Sequence, residues 1–189
     1  MGRAVLITTG MALAMLLSAA TLAAEPQPEP PAKQAAALAQ EFVSLLRPRL
    51  KQAMAEGGPA GAIAVCADVA PAIADSLSAR SGWNVKRVSL KSRNASRAVP
   101  DDWERAVLLE FDRRQVAGED AADISFGEVV AGQYRYMQAQ GVEPLCLLCH
   151  GKGMADNVEQ TLRQYYPDDW ATGYSLGQVR GAISVSRPL

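Results

Sequence analysis

The stretch CLLCHGKG, residues 146–153, places two of the chain's three cysteines and its single histidine within five positions. Whatever Cys146, Cys149 and His150 hold must sit at this turn, and the rest of the chain must be arranged around it. Four chemistries use such a C-x-x-C-H run. Two thiols can add across the vinyl groups of a haem while the next imidazole reaches the iron, so attachment and proximal ligation come from one turn. A thioredoxin-like pair needs only the thiols and a strand-turn-helix setting that is absent here. A zinc site would need Cys66, Cys146, Cys149 and His150 on one ion, and adjacent residues rarely serve one tetrahedral centre. A plain disulfide leaves the histidine incidental. Only the first chemistry requires the histidine at the next position, so one covalent haem c is expected.

Outward from the turn, the N-terminal end bears on this reading. MGRAVLITTGMALAMLLSAATLAAEPQPEPP runs from Arg3 through an apolar stretch to small residues, the layout of a secretory signal peptide cleaved after Ala24. Thr8, Thr9 and Gly10 interrupt the stretch, which disfavours a retained membrane anchor. Residues 1–24 are thus expected to be a signal peptide, 25–32 a proline-rich leader and 33–189 a single domain. The expected location is the periplasm, outside the cytoplasm, where c-type attachment is made, with no membrane association after cleavage. Without residues 1–24 the chain carries 18 basic and 20 acidic side chains, a balance that gives no footprint for nucleic acid.

A haem iron has two faces, and with one histidine in the chain bis-histidine ligation is excluded. Met154 is tethered too closely to His150 to reach the opposite face. Met54, Met137, Cys66, a lysine, a tyrosine or an open position remain. In GPAGAIAVCADVAPAIADSLSARSG, residues 58–82, Ile63, Cys66, Ala70, Ile73 and Leu77 recur at helical spacing, so Cys66 points inward. An unpaired inward cysteine is often only a small hydrophobe. Pro71, however, deprives the Ala67 carbonyl of its partner and predicts a kink beside Cys66, and the surrounding alanines let a flat macrocycle approach the backbone.

The remaining elements form a framework. KQAAALAQEFVSLLR (33–47) is a helix with its apolar face through Ala37, Phe42 and Leu45, bent or ended by Pro48. WNVKRVSLK (83–91) is a strand whose apolar phase switches between Val85 and Val88, suggesting a bulge. PDDWERAVLLEFDRR (100–114) is a helix with Asp101 near its start. Strands follow at 127–131 and 133–139, then the CLLCH turn, a helix at 158–166 and a last strand at 178–188. This order predicts an α+β domain with an antiparallel sheet flanked by N-terminal helices.

Five segments, AIAVCADVAPAIADSLS (62–78), SGWNVKRVSLKSRN (81–94), PDDWERAVLLEF (100–111), CLLCHGKG (146–153) and GYSLGQVRGAISVSRPL (173–189), carry a resemblance. From about Ala62 to Leu189 the chain resembles a family of single-haem, c-type domains whose fold is similar to PAS sensor domains. The resemblance implies that Cys66 is the distal iron ligand, opposite His150. It departs where the family often shows RNP: here RNASRAVPDDWE has Ala95 in place of proline, which concerns the loop near the haem edge. For the haem propionates, the run KRVSLKSRN offers Arg87, Lys91 and Arg93, with Trp103 flanking the macrocycle. The expected role is a redox or gas sensor, binding a diatomic gas in the reduced state and signalling through an unidentified redox or signalling protein partner. The alternative is a small electron-transfer cytochrome c. An enzyme is not expected, since no distal histidine is present to move protons.

Overall fold

The computed structural model describes Met1 and residues 29–189. The expected signal peptide apart from Met1, and the first half of the leader, residues 2–28 together, lie outside the described residues. Helix α1 spans Pro31–Ala64, and its one residue with non-helical dihedrals is Gly58, at φ 63° and ψ −166°. There the helix kinks, and Gly58 supplies the positive φ that residues with a Cβ rarely adopt. Pro48, expected to bend or end the first helix, does neither. Pro48 and Ser44, whose carbonyl it leaves without a helical partner, are both exposed, a position where solvent can reach that carbonyl. The buried face of α1 is Ala35, Ala39 and Phe42, whereas Ala37 and Leu45 are exposed. With alanine at four of the five positions 35–39, the apolar pattern there does not fix the phase of the helix.

Past the kink, α1 passes into a π-helical turn at Val65–Val69, in which the Ala70 N–H bonds the Val65 carbonyl, and then into α2, Ala70–Ser81. Where a kink was expected beside Cys66, the chain instead widens into this turn, which bonds five residues back just ahead of Pro71. Gly82, at φ 72°, caps α2 in the left-handed conformation. Within Pro31–Ser81 lies an 18-residue window of mean hydropathy 1.5, long and apolar enough by length and composition to cross a membrane. The same run supplies the residues that cover one face of the sheet.

Strands β1 (Asn84–Val88), β2 (Ser125–Val130), β3 (Gln133–Gly141) and β4 (Val179–Pro188) form a four-stranded antiparallel sheet in the order β1-β4-β3-β2. Ala131 and Gly132, at φ 48° and 76°, make the two-residue turn joining β2 to β3. The bulge expected in β1 is absent: its register with β4 runs unbroken from Asn84↔Ser186 to Val88↔Ala182. The apolar phase switches because both faces of the sheet are covered. Val85 packs with Phe42, Leu77, Ile183 and Val185 beneath α1 and α2. Val88 packs with Leu108, Phe111, Met137 and Ala182 beneath α3, Asp102–Val116. The irregularity sits instead in β3, between Ala139 and Gly141.

Helix α3 opens with a capping box: Asp101 accepts from the Glu104 N–H at 2.9 Å, and Glu104 accepts from the Asp101 N–H at 2.9 Å. Glu104 is fully buried, and its carboxylate also accepts from Ser184 Oγ at 2.7 Å and Lys86 Nζ at 2.9 Å, which fastens α3 to β1 and β4. After β3, a 3₁₀ turn (Pro144–Cys146) runs into the four-residue helix α4 (Leu147–His150), so the CLLCH segment is one compact helical turn. Helix α5, Asp156–Tyr165, then packs on α1 around Ile63, Val158 and Leu162.

Candidate functional site

The π turn and the CLLCH turn face each other across a cleft of about 830 Å³, part of it open to solvent. Cys66, Ala70 and Ala74 line one side and His150, Tyr166 and Ala171 the other. Arg87 and Val88 from β1 and Arg180 to Ala182 from β4 meet below them. Gly181 keeps its floor thin: at φ 149° it passes so close to β1 that a Cβ there would lie 2.5 Å from the Val88 carbonyl oxygen.

His150 is held in one tautomer. Its Nδ1 lies 2.7 Å from the Ala171 carbonyl oxygen, which can only accept, so Nδ1 carries the proton and Nε2 keeps its lone pair. Burial, followed by the charges of Arg180 and Arg93, holds the imidazole well below the usual histidine range and therefore neutral. The backbone around it is pinned by bonds from Tyr174 N–H to the His150 carbonyl and from Gly173 N–H to the Gly151 carbonyl, both 2.9 Å.

The two thiols of the turn leave it on different sides and are not bonded to each other. Cys149 packs with Ile63, Ala67, Val158 and Leu162, and burial pushes its thiol up to about 11. Cys146 packs with Val142, Ala171 and Tyr174. The zinc and disulfide readings find no geometry here. Among the described residues no group of three or more histidine, cysteine or acidic side chains is placed to hold a metal ion, and all three cysteines are free.

Of the residues singled out in the sequence, Cys66, His150, Arg87, Lys91 and Arg93 all line the cleft. Trp103 does not. It packs on the α3 face of the sheet, stacked 4.3 Å from Arg135 and donating to Glu128 at 2.7 Å. Met137, fully buried on that same face, is likewise kept from the cleft, and Met54 does not line it. Met154 does not line the cleft either; like Cys149 it packs against the cluster of Ile63, Val158, Leu162 and Tyr166. Arg93 reaches the site in a different capacity from the one expected. Its Nη2 donates to the Cys149 carbonyl at 2.5 Å and the Ala171 carbonyl at 3.2 Å, and lies 3.0 Å from Asp169 Oδ2.

Arg180 and Tyr166 complete the cleft and carry no motif in the sequence. Neither Arg87 nor Arg180 has an acidic partner among the described residues, and the Arg180 Nε is buried without any hydrogen bond. Burial and then the neighbouring Arg180 charge lower Arg87 to about 10, which leaves it cationic at neutral pH. The cleft therefore holds two arginines that no protein carboxylate compensates, a cost that an anionic occupant would relieve.

A four-stranded antiparallel sheet, covered on both faces by helices and carrying a thiol-imidazole turn opposite a kinked helix, defines a small α+β domain built around one cleft. The chain belongs to the Tll0287-like family, whose model matches residues 18–188. Among solved structures it is similar to the crystal structure of the cyanobacterial heme-protein Tll0287. The two share 25% identity with a TM-score of 0.59, over 81% of this chain and 89% of that one. No curated protein matches the sequence.

Proposed function

We propose that the chain is a periplasmic monohaem c-type cytochrome that acts as a redox or gas sensor. In this reading Cys146 and Cys149 would carry the covalent links, and His150 and Cys66 would hold the iron. The observation that carries it is the neutral His150, its Nδ1–H bound to the Ala171 carbonyl and its Nε2 free, in a cleft whose other side presents Cys66. Further support comes from the family, from the heme-protein that shares the fold, and from the expected export signal. The residues fit the group. Cys146 and Cys149 flank the imidazole, Ala70 and Ala74 leave room for a flat ring, and Arg87 and Arg180 are free to meet its two carboxylates, with Lys91 at the rim.

A haem held this way supplies one-electron exchange and, where one axial position can be vacated, binding of a diatomic gas. The chain's contribution is to fix the imidazole, to set a sulfur ligand on a helical irregularity, and to neutralise the carboxylates. A small electron-transfer cytochrome is the second reading, favoured by the exposure of Leu148 within the CLLCH turn, which brings the site to the surface. Absorption spectra of the purified protein and of Cys66→Ser test the proposal. A c-type pyridine haemochrome in both, with a ferric Soret band displaced in the variant, is the expected result; a colourless protein, or identical spectra, would refute the haem or the Cys66 ligand respectively. Carbon monoxide separates the two roles: a sensor changes its ferrous spectrum under the gas, whereas a carrier with fixed ligands does not.

A further inference from the structure

The carbonyl that fixes His150 is shared. Ala171 O accepts from His150 Nδ1 at 2.7 Å and from Arg93 Nη2 at 3.2 Å. The two hydrogens of Arg93 Nη2 go to the Ala171 and Cys149 carbonyls, and its contact with Asp169 at 3.0 Å is an ion pair. Asp169 closes the group by accepting from the Ala171 N–H at 2.8 Å through its other oxygen. The side chains of Arg93 and Asp169 are only 10% and 11% exposed, so water screens these charges weakly. One arginine thus touches the backbone of the thiol turn, the acceptor of the imidazole proton and a buried carboxylate.

The geometry points to Arg93 and Asp169 as positioning residues that set how strongly His150 donates to a metal at its Nε2, acting through the Ala171 carbonyl that Arg93 and His150 share. The inference rests on the haem reading above and deepens it. A carbonyl that accepts strongly from Nδ1–H makes the imidazole a more basic ligand and stabilises the oxidised metal. A cationic donor on the same oxygen draws its electron density away, so His150 is left a weaker donor and the reduced state is favoured. Asp169 opposes this by partly neutralising Arg93. The two residues therefore act on the ligand with opposite signs, although both belong to one structural clamp.

Midpoint potentials of the haem-loaded full chain and the His150 Nδ1–H proton resonance, recorded with and without haem, test this in Asp169→Asn, Arg93→Gln and Arg93→Lys. Asn keeps the acceptor for the Ala171 N–H through Oδ1, loses the charge, and turns an NH2 donor in place of an oxygen toward Arg93. Asp169→Asn should raise the potential and Arg93→Gln lower it. Each shift should be about fivefold to tenfold in the one-electron equilibrium, a tenfold change being about 59 mV. Arg93→Lys, which keeps the charge, should recover most of the Arg93→Gln shift. The Nδ1–H resonance should move downfield in Arg93→Gln and upfield in Asp169→Asn. Potentials that move in the same direction in both variants would reduce the clamp to scaffolding. A resonance that stays fixed while the potentials move would show the charges acting through space, and either result overturns the inference. Should the chain take up no haem, the proposed function fails, while the resonance in the haem-free chain still decides this question. If Arg93→Gln does not fold, Asp169→Asn alone decides: a raised potential with an upfield Nδ1–H resonance supports the inference, and a lowered potential or an unmoved resonance overturns it.

Discussion

A single hydrogen bond fixes the tautomer of His150, and the titratable side chains elsewhere in the chain differ in how well they suit their surroundings. Asp112 is one that does not: half-buried near the C-terminal end of α3, it has its carboxyl raised above the ordinary 3.8 by burial, an effect only partly offset by Lys91. Since the folded chain holds this proton more tightly than the unfolded one, stability falls as the pH rises from about 4 through the folded value. The charge also opposes the helix dipole. Asp112→Asn should therefore stabilise the protein by about 0.5 kcal/mol at pH 7, with the gain gone near pH 3, as read from urea unfolding at both pH values. Legibility in the sequence follows the same local logic. Cys146, Cys149 and His150 stand out because one turn holds all three, and Cys66 stands out because helical spacing turns it inward. Arg180 and Asp169 were illegible: their meaning depends on Arg87 and Arg93, some eighty to ninety positions earlier, and no local spacing records that. Trp103 was misjudged because a segment close in sequence to a cleft need not lie on the same side of the sheet.

Among the elements, α3 is tied to the sheet by one buried carboxylate. Glu104 bonds the backbone of its own first turn, Ser184 in β4 and Lys86 in β1, with Arg135 Nη2 of β3 at 3.6 Å. Glu104→Ala strips these groups of their partner and leaves buried donors unsatisfied, so a loss of about 3 kcal/mol is expected. Denaturant melts should show it as a shift in midpoint with little change in slope. The positions of the helices and strands were readable from periodicity and capping residues. Two features of their detail were not. A strand buried on both faces mimics one with a bulge, as Val85 and Val88 do in β1. An exposed proline such as Pro48 does not stop a helix when solvent can satisfy the orphaned carbonyl.

At the scale of the whole molecule, the sheet order makes β3 and β4 interior and leaves β2 paired on one side only, with most of its residues exposed. Hydrogen exchange should therefore find the interior amides of β3 and β4 the slowest in the chain and those of β2 at least about 100-fold faster. The antiparallel α+β class was legible because strand and helix patterns alternate in that order, whereas the neighbour relations were not, because β1 meets only β4, nearly a hundred residues later. That pairing also imposes a timetable. With its sole neighbour at the far end of the described residues, β1 stays unmatched until the last strand is delivered, and closure of the cleft floor waits on it. Cys146 and Cys149 precede that strand by roughly thirty residues, so both thiols stand on a chain whose cleft floor is still open.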